Sequence, residues 1–440
     1  SNTTGTRNVA MGLNALYTCS TGGYNVAIGG HALYDATTAS NNVALGWSAL
    51  GDTTTGYNNT AVGADCMRLN TTGYANVAVG THTLDANTTG AGLVAIGYAA
   101  LGVNTTADNN VAVGNQALAA NTTGAYNSVL GAYTLDANTT GQHNTAVGYN
   151  ALSENTTGTD NTGVGNLCLD GITTGHSNSG LGSEAGTSLT TGEYNTPVGA
   201  YALYNSTTAH YNTAIGSRAL QVCTTGASNT AIGYGSTYSV TTGHNNVANG
   251  RSSLYACTTG YQNVAIGQDA GDTITTGYNN ICIGNASDVS AAGNNHEGVF
   301  GRGGIGKGNH TFYASAGNVY NGANSTAWQT TSDRRIKKNI VDNTTGLSII
   351  NQLNVRNFEY KTEDEITTDS PELTDVVRSA VVKKSGVQIG VIAQELEEIC
   401  SGCVEVQSTG IKTVDTDELF WHLINAVKEL STEVNALKAK

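Results

Sequence analysis

Apolar and polar positions along most of this chain follow a unit that returns every 17 residues. Its core reads Asn-x-Ala-(Ile/Val)-Gly, from Asn8-Val9-Ala10-Met11-Gly12 to Asn280-Ile281-Cys282-Ile283-Gly284, with no insertion anywhere between. With the Asn as position 1, position 5 is glycine in all 17 copies and position 1 is Asn except at Leu93. Position 4 is apolar except at Asn249, position 9 is mostly Leu (Leu16, Leu33, Leu50), and positions 13 to 15 usually read Thr-Thr-Gly. Such a period signals a solenoid. A single inserted residue would carry every later apolar side chain off the buried face. A 17-residue unit rich in glycine holds no helix pair, whereas two short strands and two turns fit. The expected fold is mostly β, a parallel β-roll or solenoid shaft over residues 1–284 with one coil per repeat. At about 4.8 Å per rung the shaft would be roughly 80 Å long.

The end of the chain has another period. Phe420, Leu423, Val427, Leu430, Val434 and Leu437 fall three and four residues apart, the a and d seam of a coiled coil, behind a capping box placed at Asp415 and Glu418. This predicts a helix over 416–440 with a stripe that seeks partners, and under three heptads it is marginal alone. Residues 285–331, rich in Gly, Asn and Ser with Phe300, Phe312, Tyr313, Tyr320 and Trp328 as sparse anchors, read as a neck with a few strands.

Charge draws a boundary near Ser332. Residues 1–331 carry 6 Lys/Arg and 15 Asp/Glu, whereas residues 332–440 carry 13 and 18. Two kinds of domain meet there. The net charge of -14 and the scarcity of basic residues in the shaft argue against nucleic acid as a partner. No apolar run is long enough to cross a bilayer and no signal peptide opens the sequence, so membrane insertion and signal-dependent export are not expected.

The eight cysteines do not pair by spacing. Cys19, Cys66, Cys168, Cys223, Cys257 and Cys282 occupy repeat positions and read as small fillers. Cys400-Ser-Gly-Cys403 has redox or half-zinc spacing without a second pair or a nearby His cluster in sequence, which favours a reduced pair near a helix end. No metal and no cofactor is expected. Position 12 is Asn in six successive copies, Asn70 to Asn155, which predicts an amide ladder. The Asn-Thr-Thr strings that result match a glycosylation pattern only as a by-product of the repeat. Neighbouring threonines point to opposite faces, so only one Thr column faces out and ice binding is a minority reading. His176, His210 and His244 recur in every second coil, about 10 Å apart, too far for one metal and so read as solvated. Tyrosines at variable positions, among them Tyr57, Tyr74, Tyr261 and Tyr278, are candidate glycan contacts, with plain coverage of coil edges as the alternative.

Asn25-Val26-Ala27-Ile28-Gly29 and Asn212-Thr213-Ala214-Ile215-Gly216 resemble the repeats of trimeric autotransporter adhesin heads, where such units form a left-handed parallel β-roll and three chains pack side by side. Those adhesins end in a β-barrel anchor, of which this sequence shows no trace, so an autotransporter is not expected. From Thr331-Ser332-Asp333-Arg334-Arg335-Ile336-Lys337-Lys338 onward, with Asn357-Phe358-Glu359-Tyr360 and Gly390-Val391-Ile392-Ala393-Gln394-Glu395, residues 332–440 resemble the intramolecular chaperone domain of bacteriophage tail spikes, tail fibres and endosialidases. That resemblance implies a small α+β domain that trimerises, drives assembly of the fibre before it, and then releases itself. It implies Ser332 as nucleophile, Lys337 as general base and Ser332-Asp333 as the scissile bond, with Arg334, Arg335 and Lys338 as cationic surroundings for the lysine.

The expectation is a homotrimeric phage fibre made in the host cytoplasm and carried on the virion, extracellular after release. Its partners would be two further copies of itself, a host surface glycan or protein receptor, and other virion proteins at the amino end. Two alternatives stand beside it. A polysaccharide-degrading spike needs paired carboxylates in a cleft, where the sequence offers scattered acids such as Asp65, Asp85, Glu154 and Glu184. A non-viral adhesive or ice-binding solenoid would not need the chaperone.

Overall fold

The computed structural model describes residues 3–315, 334–376, 384–407 and 409–439, together with Val382. The chain falls into two units, Ser1–Thr276 and Gly277–Lys440.

The first unit is a parallel β-solenoid. Its strands are three residues each, from β1 (Val9–Met11) and β2 (Val26–Ile28) through to β16 (Val264–Ile266). Val9 pairs with Val26, and Val247 with Val264, so the 17-residue period of the sequence is the circumference of one coil. With strands about 4.8 Å apart, β1 and β16 lie roughly 70 Å from each other.

Each coil contains one strand rather than the two expected. The chain turns instead through left-handed residues at positions 7, 9 and 17, as at Asn14, Leu16 and Tyr24 (φ 58°, 52° and 63°). A left-handed Leu costs roughly 1–2 kcal/mol. Full burial of a leucine returns about 1.5–3 kcal/mol, and Leu33, Leu50, Leu84 and Leu101 are all completely buried. Burial therefore outweighs the strain, and the repeat tolerates a conformation that leaves no mark in its composition.

The sorting of side chains also corrects the sequence reading. From β2 onward the middle residue of each strand in this unit is inside, whereas the larger residues at positions 2 and 4 face outward: Ala78 is fully buried between Val77 and Val79, which are 39% and 37% exposed. The interior holds mostly small side chains at this position, with Val129 buried there as well. A Cβ added at Gly180, a middle-strand position, would lie 2.7 Å from Cys168 Sγ. Alanines at positions 3 and 8 and leucine at position 9 fill this space.

Two buried amide columns run along the coils. At position 1, Asn127 Oδ1 accepts from the backbone N–H (3.0 Å) and Nδ2 (3.2 Å) of Asn144, and Asn144 Nδ2 also donates to the Gly158 carbonyl (2.9 Å) near the end of its own coil. The same set recurs from Asn161 to Asn178 to Gly192. This column was not foreseen. The second, at position 12, is the expected ladder: Asn87 donates to Asn70 (2.8 Å), Asn138 to Asn121 (2.9 Å) and Asn155 to Asn138 (3.1 Å). It stops where Ile172 replaces Asn, and Asn155 Oδ1 is left buried with no hydrogen-bond partner among the described residues.

Position 13 explains the Thr-Thr-Gly signature. The N–H groups of Thr71, Thr72 and Gly73 converge on the carbonyl of Thr88 (3.0, 3.1 and 3.3 Å), and the Thr71 hydroxyl donates to it as well (3.0 Å). Thr72 is exposed. As expected, one threonine column faces out while its neighbour is spent inside.

The second unit opens with three more strands of the same kind, β17 (Ile281–Ile283), β18 (Gly298–Phe300) and β19 (Phe312–Ala314), with Ile281 opposite Gly298 and Gly298 opposite Phe312. Here Glu297 takes the place of the position 1 Asn. Its N–H donates to Asn280 Oδ1 (2.9 Å), and its buried carboxylate accepts from Ser290 N (3.0 Å), Ser290 Oγ (2.6 Å) and Asn294 Nδ2 (2.6 Å). The expected neck thus forms strands of this kind within the second unit as far as Ser315, while Tyr320 and Trp328 lie outside the described residues.

Residues 334–439 form a small α+β region. Its helices are α1 (Leu347–Ile350), α2 (Glu363–Asp369), α3 (Ala393–Ile399) and α4 (Thr416–Lys438). Two antiparallel pairs accompany them: β20 (Arg356–Phe358) with β21 (Gln388–Gly390), and β22 (Val404–Val406) with β23 (Lys412–Val414). The core is Leu396, Cys400 and Cys403, packed by Ile349, Leu353, Val391, Val404, Val414 and Leu419.

The conserved register makes position 5 the most vulnerable site. Gly114 has φ +148°, and a Cβ there would lie 2.1 Å from the Gly131 carbonyl oxygen of the next coil. Gly114→Ala is expected to cost about 3 kcal/mol or more in chemical denaturation, since it combines backbone strain with a core clash. A change at an exposed position such as Thr72→Ala should stay within about 0.5 kcal/mol, and equal losses in both variants would contradict the stacking described.

Candidate functional site

The expected processing site lies at the amino edge of the α+β region. Ser332 and Asp333 are outside the described residues. Arg334–Ile336 forms one 3-10 turn, and Lys337 follows with its N–H on the Arg334 carbonyl (3.2 Å) and its side chain exposed, as is that of Lys338. The structure therefore places the candidate base but not its distance from the candidate nucleophile.

The candidate assembly surface is complete. Helix α4 begins at Asp415, whose side chain accepts from the N–H groups of Asp417 (2.9 Å) and Glu418 (3.2 Å). The Glu418 carboxylate does not complete the expected capping box and turns toward Gly402, where an added Cβ would be 3.3 Å from it. One face of the helix is used within the chain. Leu347 N–H donates to Glu429 Oε2 (2.8 Å), Asn425 Nδ2 to the Asn343 carbonyl (2.9 Å), and His422 Nδ1 to the Thr345 carbonyl (2.9 Å). Gly346 makes the approach feasible, because a Cβ there would lie 2.2 Å from Ala426 N. The opposite face is the predicted seam. Phe420, Leu423, Val427, Leu430, Val434 and Leu437 are between 40% and 69% exposed, with Trp421 beside them. An apolar stripe of this kind on a single chain marks a contact surface.

Along the first unit the aromatic residues form ladders that single-position reading did not reveal. Tyr57 and Tyr74 stack at 5.0 Å with planes 4° apart, and Tyr261 stacks on His244 at 5.0 Å. In the second unit Tyr278 meets His296 edge-on at 5.4 Å. Each of these rings already has one side occupied by an aromatic neighbour. The histidine column is not simply solvated either: His176 Nε2 pairs with Glu193 Oε1 (3.1 Å), and the Glu193 N–H donates to His210 Nδ1 (3.1 Å).

Of the scattered acids, Asp65 and Asp85 share Arg68 (4.0 and 3.1 Å), which spends both on ion pairing. Glu154, Asp170 and Glu184 cluster instead. Burial, with the Glu154 and then the Glu184 charge nearby, pushes the Asp170 carboxyl up to about 6. The repeat cysteines are all free and buried, and burial pushes the Cys66, Cys168 and Cys257 thiols up to about 12, so they are inert fillers as expected. Cys400 and Cys403 do stand at a helix end, but they form a disulfide rather than a reduced pair. Helix α4 brings His422 to them, with Nε2 3.7 Å from Cys400 Sγ. A separation of 22 residues hid that neighbour from the sequence.

Fold and region together define a class: a solenoid of 17-residue coils followed in the chain by a small α+β domain ending in a long helix. Residues 332–405 match the family Chaperone of endosialidase, Peptidase_S74, so the chain carries that domain. None of the curated proteins matches the chain. The match stops before β23 and α4, the part that presents the apolar seam.

The acid cluster yields a pH dependence. The folded-state value of Asp170 lies above its ordinary 3.8, so between about 4 and 6 the folded chain holds a proton that the unfolded chain releases. Stability from this group is fully present below pH 4 and is lost as the pH rises through 6. The thermal midpoint is expected to fall across that window in the wild type and to fall less in Asp170→Asn, as scanning calorimetry would read; parallel curves would refute the assignment.

Proposed function

We propose that the chain is the homotrimeric shaft of a phage tail fibre, used for host attachment and assembled by its own carboxy-terminal chaperone. The presence of a Chaperone of endosialidase domain after a β-solenoid fits a phage tail fibre or spike with an intramolecular chaperone. The observation that carries the finer reading is the exposed apolar seam of α4, from Phe420 to Leu437. A second apolar stripe supports it: the outward residues of the solenoid strands, such as Val43, Leu45, Val77 and Ile96, are 39–41% exposed. Three chains set side by side would cover both.

Trimerisation answers a physical problem. A coil with a core of one leucine and two alanines buries little on its own, and parallel pairing at long range forms slowly. A domain that aligns three chains supplies the register before the coils close.

In this proposal Lys337 takes the Ser332 hydroxyl proton, Ser332 Oγ attacks the carbonyl of the Ser332-Asp333 peptide bond, the proton passes to the departing Asp333 amine, and water hydrolyses the ester that results. A lysine becomes a usable base when desolvation or neighbouring cations disfavour its charged form. Lys337 is exposed in the single chain, so cleavage would wait for assembly to cover it. Loss of the seed then locks the fibre kinetically. The mature fibre sits on the virion through its amino end, is extracellular after release, and contacts a host glycan or protein through exposed shaft residues such as the Tyr57–Tyr74 stack.

Mass spectrometry of the expressed chain tests processing: a fragment beginning at Asp333 is expected, and both Ser332→Ala and Lys337→Ala should leave the chain whole. Sedimentation tests assembly separately. The Ser332→Ala protein should run as a trimer, and adding Leu423→Lys with Val427→Lys should shift it to monomer; a monomer before those changes would overturn the proposal.

A further inference from the structure

Cys400, Cys403 and His422 offer three ligand atoms within 4.8 Å of one another, with Cys403 fully buried and Cys400 and His422 nearly so. They come from three places: the end of α3, the 3-10 turn Ser401–Cys403 that follows it, and the second turn of α4. The imidazole is already oriented. Its Nδ1 donates to the Thr345 carbonyl (2.9 Å), which leaves the lone pair of Nε2 directed at Cys400 Sγ, 3.7 Å away. A zinc ligand histidine is commonly held through its other nitrogen by such a carbonyl.

We propose that the reduced pair binds Zn(II) through Cys400 Sγ, Cys403 Sγ and His422 Nε2, and that the disulfide is the metal-free form of the same site. Thiolates about 2.3 Å and an imidazole nitrogen about 2.1 Å from a tetrahedral ion stand roughly 3.6 Å apart, close to the Sγ to Nε2 distance present. The Cα atoms of the cysteines, 5.4 Å apart, need not move far. A fourth position remains for water. The Glu418 carboxylate beside Gly402 adds negative charge to the same loop.

The two forms interconvert with balanced chemistry. The two zinc-bound thiolates together give two electrons to a small-molecule disulfide such as oxidised glutathione, which takes two protons and leaves as two thiols. The protein sulfurs join, and zinc is released. The metal form ties α3 to the α4 face that holds Thr345 and α1 through His422, whereas the disulfide closes only the short loop from Cys400 to Cys403. The metal form suits a reducing cytoplasm, where the chaperone works, and the disulfide suits the medium outside. Small domains commonly need such a staple.

The full chain with Ser332→Ala, reduced and made metal-free, would be titrated with Zn(II) and, for its thiolate charge-transfer absorption, with Co(II). One ion per chain is expected, with release to a chromogenic chelator on adding oxidised glutathione. Cys403→Ser and His422→Gln should each weaken binding by more than the about 100-fold that loss of an outer-shell partner costs, with helical circular dichroism showing whether the variants are folded. The wild-type comparison of reduced with oxidised protein needs no variant. Absence of zinc uptake by the reduced chain, or uptake unchanged by both substitutions or by oxidation, would overturn the proposal.

Discussion

The asparagine at position 1 is the constraint on which the solenoid depends. Its Oδ1 takes two hydrogen bonds from the next coil, and its Nδ2 closes its own coil onto the position 15 carbonyl. One side chain thus fixes both the stacking and the circumference. A buried amide with unmet partners costs about 1–3 kcal/mol, so a coil of 16 or 18 residues would be penalised at every rung. At Leu93 the backbone N–H still reaches Asn76 Oδ1 (2.9 Å), but the link onward from that side chain is missing. The column tolerates one such gap.

With circumference fixed by polar groups, apolar side chains are freed for other surfaces. The interior is filled by alanine, leucine and similar residues, Val129 among them, and the apolar residues at positions 2 and 4 of the strands are turned outward. In the α+β region the same division recurs on α4, where hydrogen bonds to the Asn343 and Thr345 carbonyls and from the Leu347 N–H hold one face and the bulky residues occupy the other. Both units therefore present apolar stripes that the single chain leaves in water. This links the fold to its proposed use, in which further chains would cover each stripe.

Much of this was legible in advance, for reasons that can be named. The glycine at position 5 is required because its φ and the carbonyl above it exclude a Cβ, and a requirement repeated 17 times is visible in any copy. The position 12 ladder and the helix seam were equally readable, since both depend on spacing alone. The number of strands per coil was not, because left-handed leucines and tyrosines look like any others until burial offsets their strain. Nor was the inward or outward sense of positions 2 to 4, which a strand's alternation leaves open by one residue.

The sequence by itself determined the coil length, the register and the helix at the end, since each is a local or periodic property. Only the tertiary structure decided which residues meet across distance. Cys403 finds Cys400 and then His422, Glu193 lies between His176 and His210, and Glu154 raises Asp170, all because coils stack or a helix folds back. Proximity between distant residues is set by packing, and packing is the sum of many contacts of which no single spacing in the chain carries a record.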